Sequence, residues 1–167
     1  MPGAIAMTGN QYRRLVARYL LSAYGNRGLQ VFEEINVGTS IIGKQRRADL
    51  FLHLPSTGAA MVLECKYQDS AGTVDEKIPY ALQDLAALRM PGAVAYAGSG
   101  FSEGVLHLLQ SAESAAYCFP DETLKPLARR PGSIDSGTWQ LDHVLAMTFG
   151  WWDILLAGKS PLVLEVS

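Results

Sequence analysis

Side chains that bind soft metals are scarce: 167 residues contain two cysteines and three histidines. His53, His107 and His143 are scattered without metal-ligand spacing, so nothing in them points to zinc; packing roles are expected. Cys65 and Cys118 allow one disulfide at most. Cys65 lies in an apolar run and reads as a small buried hydrophobe. A reducing, cytoplasmic setting is therefore expected. Long hydrophobic runs are missing too. The most apolar late stretch, 144–158, carries Asp153 and falls short of the roughly 20 residues that span a bilayer. No membrane partner is expected. The start, MPGAIAMTGNQYRR, has no charged region ahead of an apolar stretch, so no signal peptide is expected. Internal repeats and low-complexity segments are absent. The formal net charge is −2, so no whole-protein positive field draws the chain onto a polyanion. Any such contact must come from local basic patches.

What is present suits one folded domain. Hydrophobic residues make up 49% and charged residues 18%, enough apolar material for a sizeable core and too little charge for disorder. Thr8 is placed to cap a helix over 9–24, where Leu15, Val16, Tyr19, Leu20 and Ala23 recur at helical spacing. Arg13, Arg14 and Arg18 are interleaved and read as a solvated face, and Gly25-Asn26 ends the helix. Residues 29–37, 46–54 and 59–68 alternate as strands, with the last two joined by the turn PSTG. Short links predict an antiparallel meander. A helix follows over 75–88, with Thr73 and Glu76 at capping-box spacing. Pro79 disturbs it, and a regular helix starting near Pro79 is the alternative. A strand at 93–97, a helix at 102–115 and a strand at 116–119 complete an αβββαβαβ order, a mixed α/β sandwich. Residues 120–138 are loop-rich; 139–156 read as helical and 162–166 as a last strand. The whole chain, 1–167, is expected to be one domain in which 120–167 extends the core.

The chemistry concentrates on two strands. In Met61-Val62-Leu63-Glu64-Cys65-Lys66-Tyr67-Gln68, side chains alternate, so Glu64, Lys66 and Gln68 share a face. Two opposite charges inside an apolar strand are costly unless paired or bound to something. Asp49, between Ala48 and Leu50, has the same character, and pairing through the PSTG turn brings it towards Glu64. Two convergent carboxylates suit a hard cation such as Mg²⁺, with water and phosphate oxygens completing its shell. A lysine beside them can orient the attacking water or stabilise charge developing on phosphorus. The bland alternative is a structural Glu–Lys pair beside a surface aspartate.

Asp49, a spacer and then Glu64-Cys65-Lys66 resemble the PD-(D/E)XK nuclease superfamily, which includes restriction endonucleases, junction resolvases and repair nucleases. The stretch ECKYQDSAGTVDEKIPYALQDL resembles restriction-endonuclease-like members as well. The resemblance runs from about Gly9 to Phe119 by element order and implies that family's αβββαβ core, a central mixed sheet flanked by helices. It implies that Asp49 and Glu64 bind Mg²⁺ (Mn²⁺ as a substitute), that the Cys65 main-chain carbonyl completes the ligands, and that Lys66 serves the nucleophilic water. Ala48 stands where the eponymous motif has proline. Many members add an earlier acid; Glu33 and Glu34 face oppositely, and Glu34 is preferred because Glu33 lies with Val31, Ile35 and Val37. Gln68, next on the site face, is expected to touch the water or the DNA backbone.

The expected activity is a magnesium-dependent DNA endonuclease of restriction, homing or phage/repair type. A Holliday-junction resolvase-like nuclease and a non-catalytic DNA-binding or assembly module are the alternatives. Lys44, Arg46 and Arg47 form either a phosphate-contacting hairpin or an ordinary exposed turn. Glu76 and Lys77 are either substrate contacts or a solvated helix start. Arg129-Arg130 is a weak candidate for reaching DNA. Trp151-Trp152, with Phe149 and Leu155, reads as core or a subunit interface. One site cuts one strand, so a homodimer or higher homo-oligomer is expected.

Overall fold

The computed structural model describes residues 7–128 and 136–165; Arg129 and Arg130 lie outside them. In chain order the elements are α1 (Gly9–Tyr24), β1 (Gln30–Thr39), β2 (Gln45–Leu54), β3 (Ala59–Tyr67), α2 (Val74–Ala86), β4 (Gly92–Ala97), α3 (Glu103–Ser111), β5 (Ala115–Tyr117), α4 (Trp139–Phe149) and α5 (Asp153–Leu156). The strands form a five-stranded mixed sheet in the order β1-β2-β3-β4-β5. β1, β2 and β3 are the antiparallel meander, while β4 and β5 join in parallel through α2 and α3. This is a restriction-endonuclease-like α/β arrangement.

Local chemistry explains most boundaries. Thr8 and Gln11 form a reciprocal capping box that starts α1. Gly25-Asn26 does not stop the chain at once: a 3₁₀ turn, Gly25–Arg27, follows and ends at Gly28, whose φ of +90° favours glycine. The expected capping box at Thr73 does not form; Thr73 makes no side-chain cap bond. Instead Gln68 Oε1 accepts the Val74 N–H at 3.0 Å, an N-terminal cap supplied from the strand end. α2 starts at Val74 and runs through Pro79. The expected helix over 139–156 is split into α4 and α5 at Gly150, φ +74°. The expected strand at 162–166 is corrected for its described part: residues 162–165 have no regular structure. Leu162, Val163 and Leu164 are almost fully exposed, and none of them pairs with a strand among the described residues.

Alternation sorts the sheet faces. Ala48, Leu50 and Leu52 of β2 and Leu63 of β3 are buried with Tyr12, Val16, Tyr19 and Leu20 of α1. Glu64 and Lys66 lie on the opposite face, towards α2. α4 completes the α1 side through a buried polar knot. Asp142 is 2% exposed and accepts hydrogen bonds from Tyr19 Oη, Tyr24 Oη (2.7 Å) and Thr138 Oγ1 (2.8 Å). Desolvation pushes its carboxyl above the usual range, and the three hydroxyls pull it back. Asp142→Ala leaves those hydroxyls unsatisfied and should cost about 2–4 kcal/mol in urea unfolding. An unchanged midpoint would show that the knot does not hold α1 to α4.

Candidate active site

The β2–β3 ladder runs from Leu54–Ala59 to Leu50–Leu63 and stops. One step further, Asp49 and Glu64 lie across from each other. There Asp49 Oδ2 accepts the Cys65 N–H at 2.9 Å, so a side-chain carboxylate takes the place of a strand carbonyl. Beyond this point the strands follow different partners. β2 stays with β1 out to Gln45–Thr39, and β3 stays with β4 out to Tyr67–Ala97. A cleft of about 320 Å³ opens between them, walled by the β1–β2 hairpin, by Glu64 and Lys66, and by α2. In an extended strand the N–H and C=O of one residue project to the same edge. The Cys65 carbonyl therefore faces the edge that β2 has left.

Glu64 is half-buried, and its carboxyl is pushed up to about 8. Desolvation is the largest cause, followed by the negative charge of Asp49 and a hydrogen bond with it; Lys66 pulls the other way. Two acids in one sheltered spot resist joint ionisation unless a proton or cation sits between them. Among the described residues, no group of three or more His, Cys, Asp and Glu side chains converges. Two carboxylates and an open main-chain carbonyl fit a hard divalent cation that keeps much of its water.

The cleft also gathers Lys44, Arg46, Arg47 and Lys77, the basic residues singled out in the sequence. Arg46 is not a free cation, however. Its guanidinium grips Asp84 of α2 through Nε (2.9 Å) and Nη2 (2.7 Å), with both side chains largely buried. That bidentate pair holds the Asp84 carboxyl below its usual range and ties β2 to α2. Glu34 does not join Asp49 and Glu64: its φ is +53°, and its 53% exposed side chain reaches Arg13 of α1 at 3.5 Å. Gln68 is not among the residues that line the cleft. It is 5% exposed and fully engaged, donating to Asp75 Oδ1 (3.0 Å) and the Gly100 carbonyl (2.9 Å) while capping α2. It clips the strand end to the loop after β4. That loop packs so closely that a Cβ at Gly98 would meet the Gln68 carbonyl oxygen at 2.2 Å. Tyr80 and Asp84 line the cleft as well and were not singled out in the sequence. Their signal is the spacing of Lys77, Tyr80, Ala81 and Asp84, which share one face of α2.

A family model described as a PD-(D/E)XK nuclease superfamily domain matches residues 8–152. The chain belongs to the PD-(D/E)XK nuclease superfamily. The match runs past Phe119 and takes in α4, beyond the reach of the sequence resemblance. Nuclease chemistry on a nucleic acid, generally with divalent metals, is what this superfamily membership supports. No curated protein matches the chain. One solved protein of unknown function is similar at 11% identity with a TM-score of 0.37, covering 57% of this chain and 52% of its own. The matched region is thus about half the length of that protein, and the likeness is too remote to carry an argument. No described helix is long and apolar enough to cross a membrane.

The Glu64 shift carries a stability signature. The folded state holds the Glu64 proton more tightly than an unfolded chain, where the ordinary value is 4.5. Its contribution is therefore full below pH 4.5, declines as pH rises through about 8, and then levels off. Without divalent ions, Glu64→Gln should gain stability over wild type across that window, by on the order of 3 kcal/mol at its upper end. Chemical denaturation of both proteins at several pH values measures the difference. A difference that does not change with pH would contradict a strained carboxyl pair.

Proposed function

We propose that this nuclease is a magnesium-dependent DNA endonuclease, with Asp49, Glu64 and the Cys65 main-chain carbonyl as metal ligands and Lys66 as the residue serving the attacking water. The reading is supported chiefly by one observation: Glu64, its carboxyl raised by burial and by the neighbouring Asp49, lines a cleft that also carries Lys44, Arg47 and Lys77. When bound, Mg²⁺ (or Mn²⁺ in its place) would polarise the phosphoryl oxygen and lower the pKa of a bound water. Asp49 is held beside Glu64 by the Cys65 N–H, which fixes its Oδ2. Lys66, two residues along the same face from Glu64, makes no ion pair among the described residues. Its ammonium can orient the water and offset charge developing on phosphorus. Lys44, Arg47 and Lys77 are proposed to hold flanking phosphates, while Arg46 keeps the hairpin wall in place. The chain, 1–167, is proposed to act as one nuclease domain with 120–167 extending the core. Both cysteines are free and buried, in keeping with a cytoplasmic setting.

The test is cleavage of supercoiled plasmid, linear duplex and branched DNA, with magnesium and with a chelator. Wild type should cut only with the metal. Glu64→Ala and Lys66→Ala should each slow cutting by about 10²-fold or more. Preference for branched DNA would assign the junction-resolvase reading. Metal-independent binding with no cutting of any substrate would overturn the nuclease in favour of a binding module.

A homodimer or higher homo-oligomer is proposed for double-strand cutting. Trp152 and Leu156 near the C-terminal end are 50% and 58% exposed, and the segment after them carries Leu162, Val163 and Leu164. Sedimentation at micromolar concentration should show at least a dimer, and a lone monomer there would contradict it.

A further inference from the structure

We infer that the tip of the β1–β2 hairpin is a duplex-opening wedge, with Ile41 and Ile42 inserting between base steps beside the cleft while Lys44 and Arg47 hold the adjoining backbone. This rests on the DNA nuclease reading of the cleft. Ile41 and Ile42 are 48% and 60% exposed. They stand at the end of a hairpin whose flanking residues Ser40, Lys44 and Arg47 line the cleft.

Nothing in the turn asks for apolar side chains there. The turn is closed by other groups: Ser40 N–H to the Lys44 carbonyl (2.6 Å), Gly43 N–H to the Ser40 carbonyl (3.0 Å) and Lys44 N–H to Ser40 Oγ (3.2 Å). Gly43 takes the left-handed conformation, φ +78°, that the reversal needs. Turns favour Gly, Asn, Asp and Ser, whereas branched aliphatics belong in strands. Two adjacent isoleucines held out into solvent thus oppose both burial and local preference.

The tip is also held firmly. Ile41 uses its main-chain N–H to reach Asp84 Oδ1 at 3.2 Å, and the same carboxylate is gripped by Arg46. The isoleucine side chains take no part in that clamp. An apolar point beside cations, with its backbone tied to α2, has the form of a wedge that pries base steps apart. Charge complementarity selects the occupant: Lys44, Arg47 and Lys77 beside the tip favour a polyanion over an apolar protein surface.

Two measurements test the wedge. In the first, full-length Ile41→Ser/Ile42→Ser protein cuts relaxed plasmid in magnesium beside wild type and Ile41→Leu/Ile42→Leu. The serine variant should be slower by about tenfold, with the leucine variant near wild type and all three melting alike. In the second, plasmid bound by Glu64→Gln is probed with permanganate, which reacts with unstacked thymines. New reactive thymines should appear and should vanish when both serines are added. Serine-variant cutting at the wild-type rate, or a complex with no more thymine reactivity than free plasmid, would overturn the wedge. If wild type cuts nothing, the nuclease reading fails, and the permanganate arm still decides the wedge because it needs only binding.

Discussion

One hydrogen bond organises the site: the Asp49 carboxylate on the Cys65 N–H. It occurs where the β2–β3 ladder ends, so a side chain completes a strand edge that the neighbouring backbone has abandoned. The consequences follow from that substitution. Asp49 is fixed beside Glu64, the Cys65 carbonyl is left on an open edge, and β2 and β3 diverge to leave a cleft of about 320 Å³. The energetic cost is a pair of like charges in a half-buried position, expressed in the raised proton affinity of Glu64. A protein that keeps such a strained pair gains a place where a cation is worth more than it is in water.

The surrounding polar contacts keep this arrangement rigid rather than adding ligands. Arg46 and Asp84 tie the hairpin wall to α2, and Gln68 ties the end of β3 to the start of α2 and to Gly100. Both walls of the cleft are thus anchored to one helix. On the far face, Asp142 draws Tyr19, Tyr24 and Thr138 together, so α1 and α4 back the sheet from behind. Each clamp is a buried or half-buried polar group with its partners supplied, the condition under which such groups rigidify instead of destabilising.

Much of this was legible in the sequence because period and punctuation were strong. The strands around Asp49 and Glu64 alternate cleanly, PSTG fixes their register, and Thr8 announces α1; the core and the Asp49–Glu64–Lys66 cluster follow. What stayed hidden depends on tertiary partners. Glu34, placed by alternation, takes a left-handed backbone and turns to Arg13. Gln68 has the right face for the site, yet a glutamine offers donors and an acceptor that three neighbours consume. Arg46 looks identical to Arg47 in the sequence, and only α2, 38 residues away at Asp84, separates a clamp from a cation that makes no ion pair among the described residues. The apolar run at 162–166 reads as a strand, but its described part, 162–165, pairs with no strand among the described residues.

We propose that Asp49 and Glu64 together make a cation site before any substrate arrives. Isothermal titration of the full chain with Mn²⁺ at pH 8, in buffers of different ionisation enthalpy, tests it most directly. Saturable binding accompanied by proton release is expected, because the cation displaces the proton that Glu64 otherwise keeps, with both signals lost in Asp49→Asn and in Glu64→Gln. Binding of equal strength in wild type and both variants, or no binding to any of them, would contradict it.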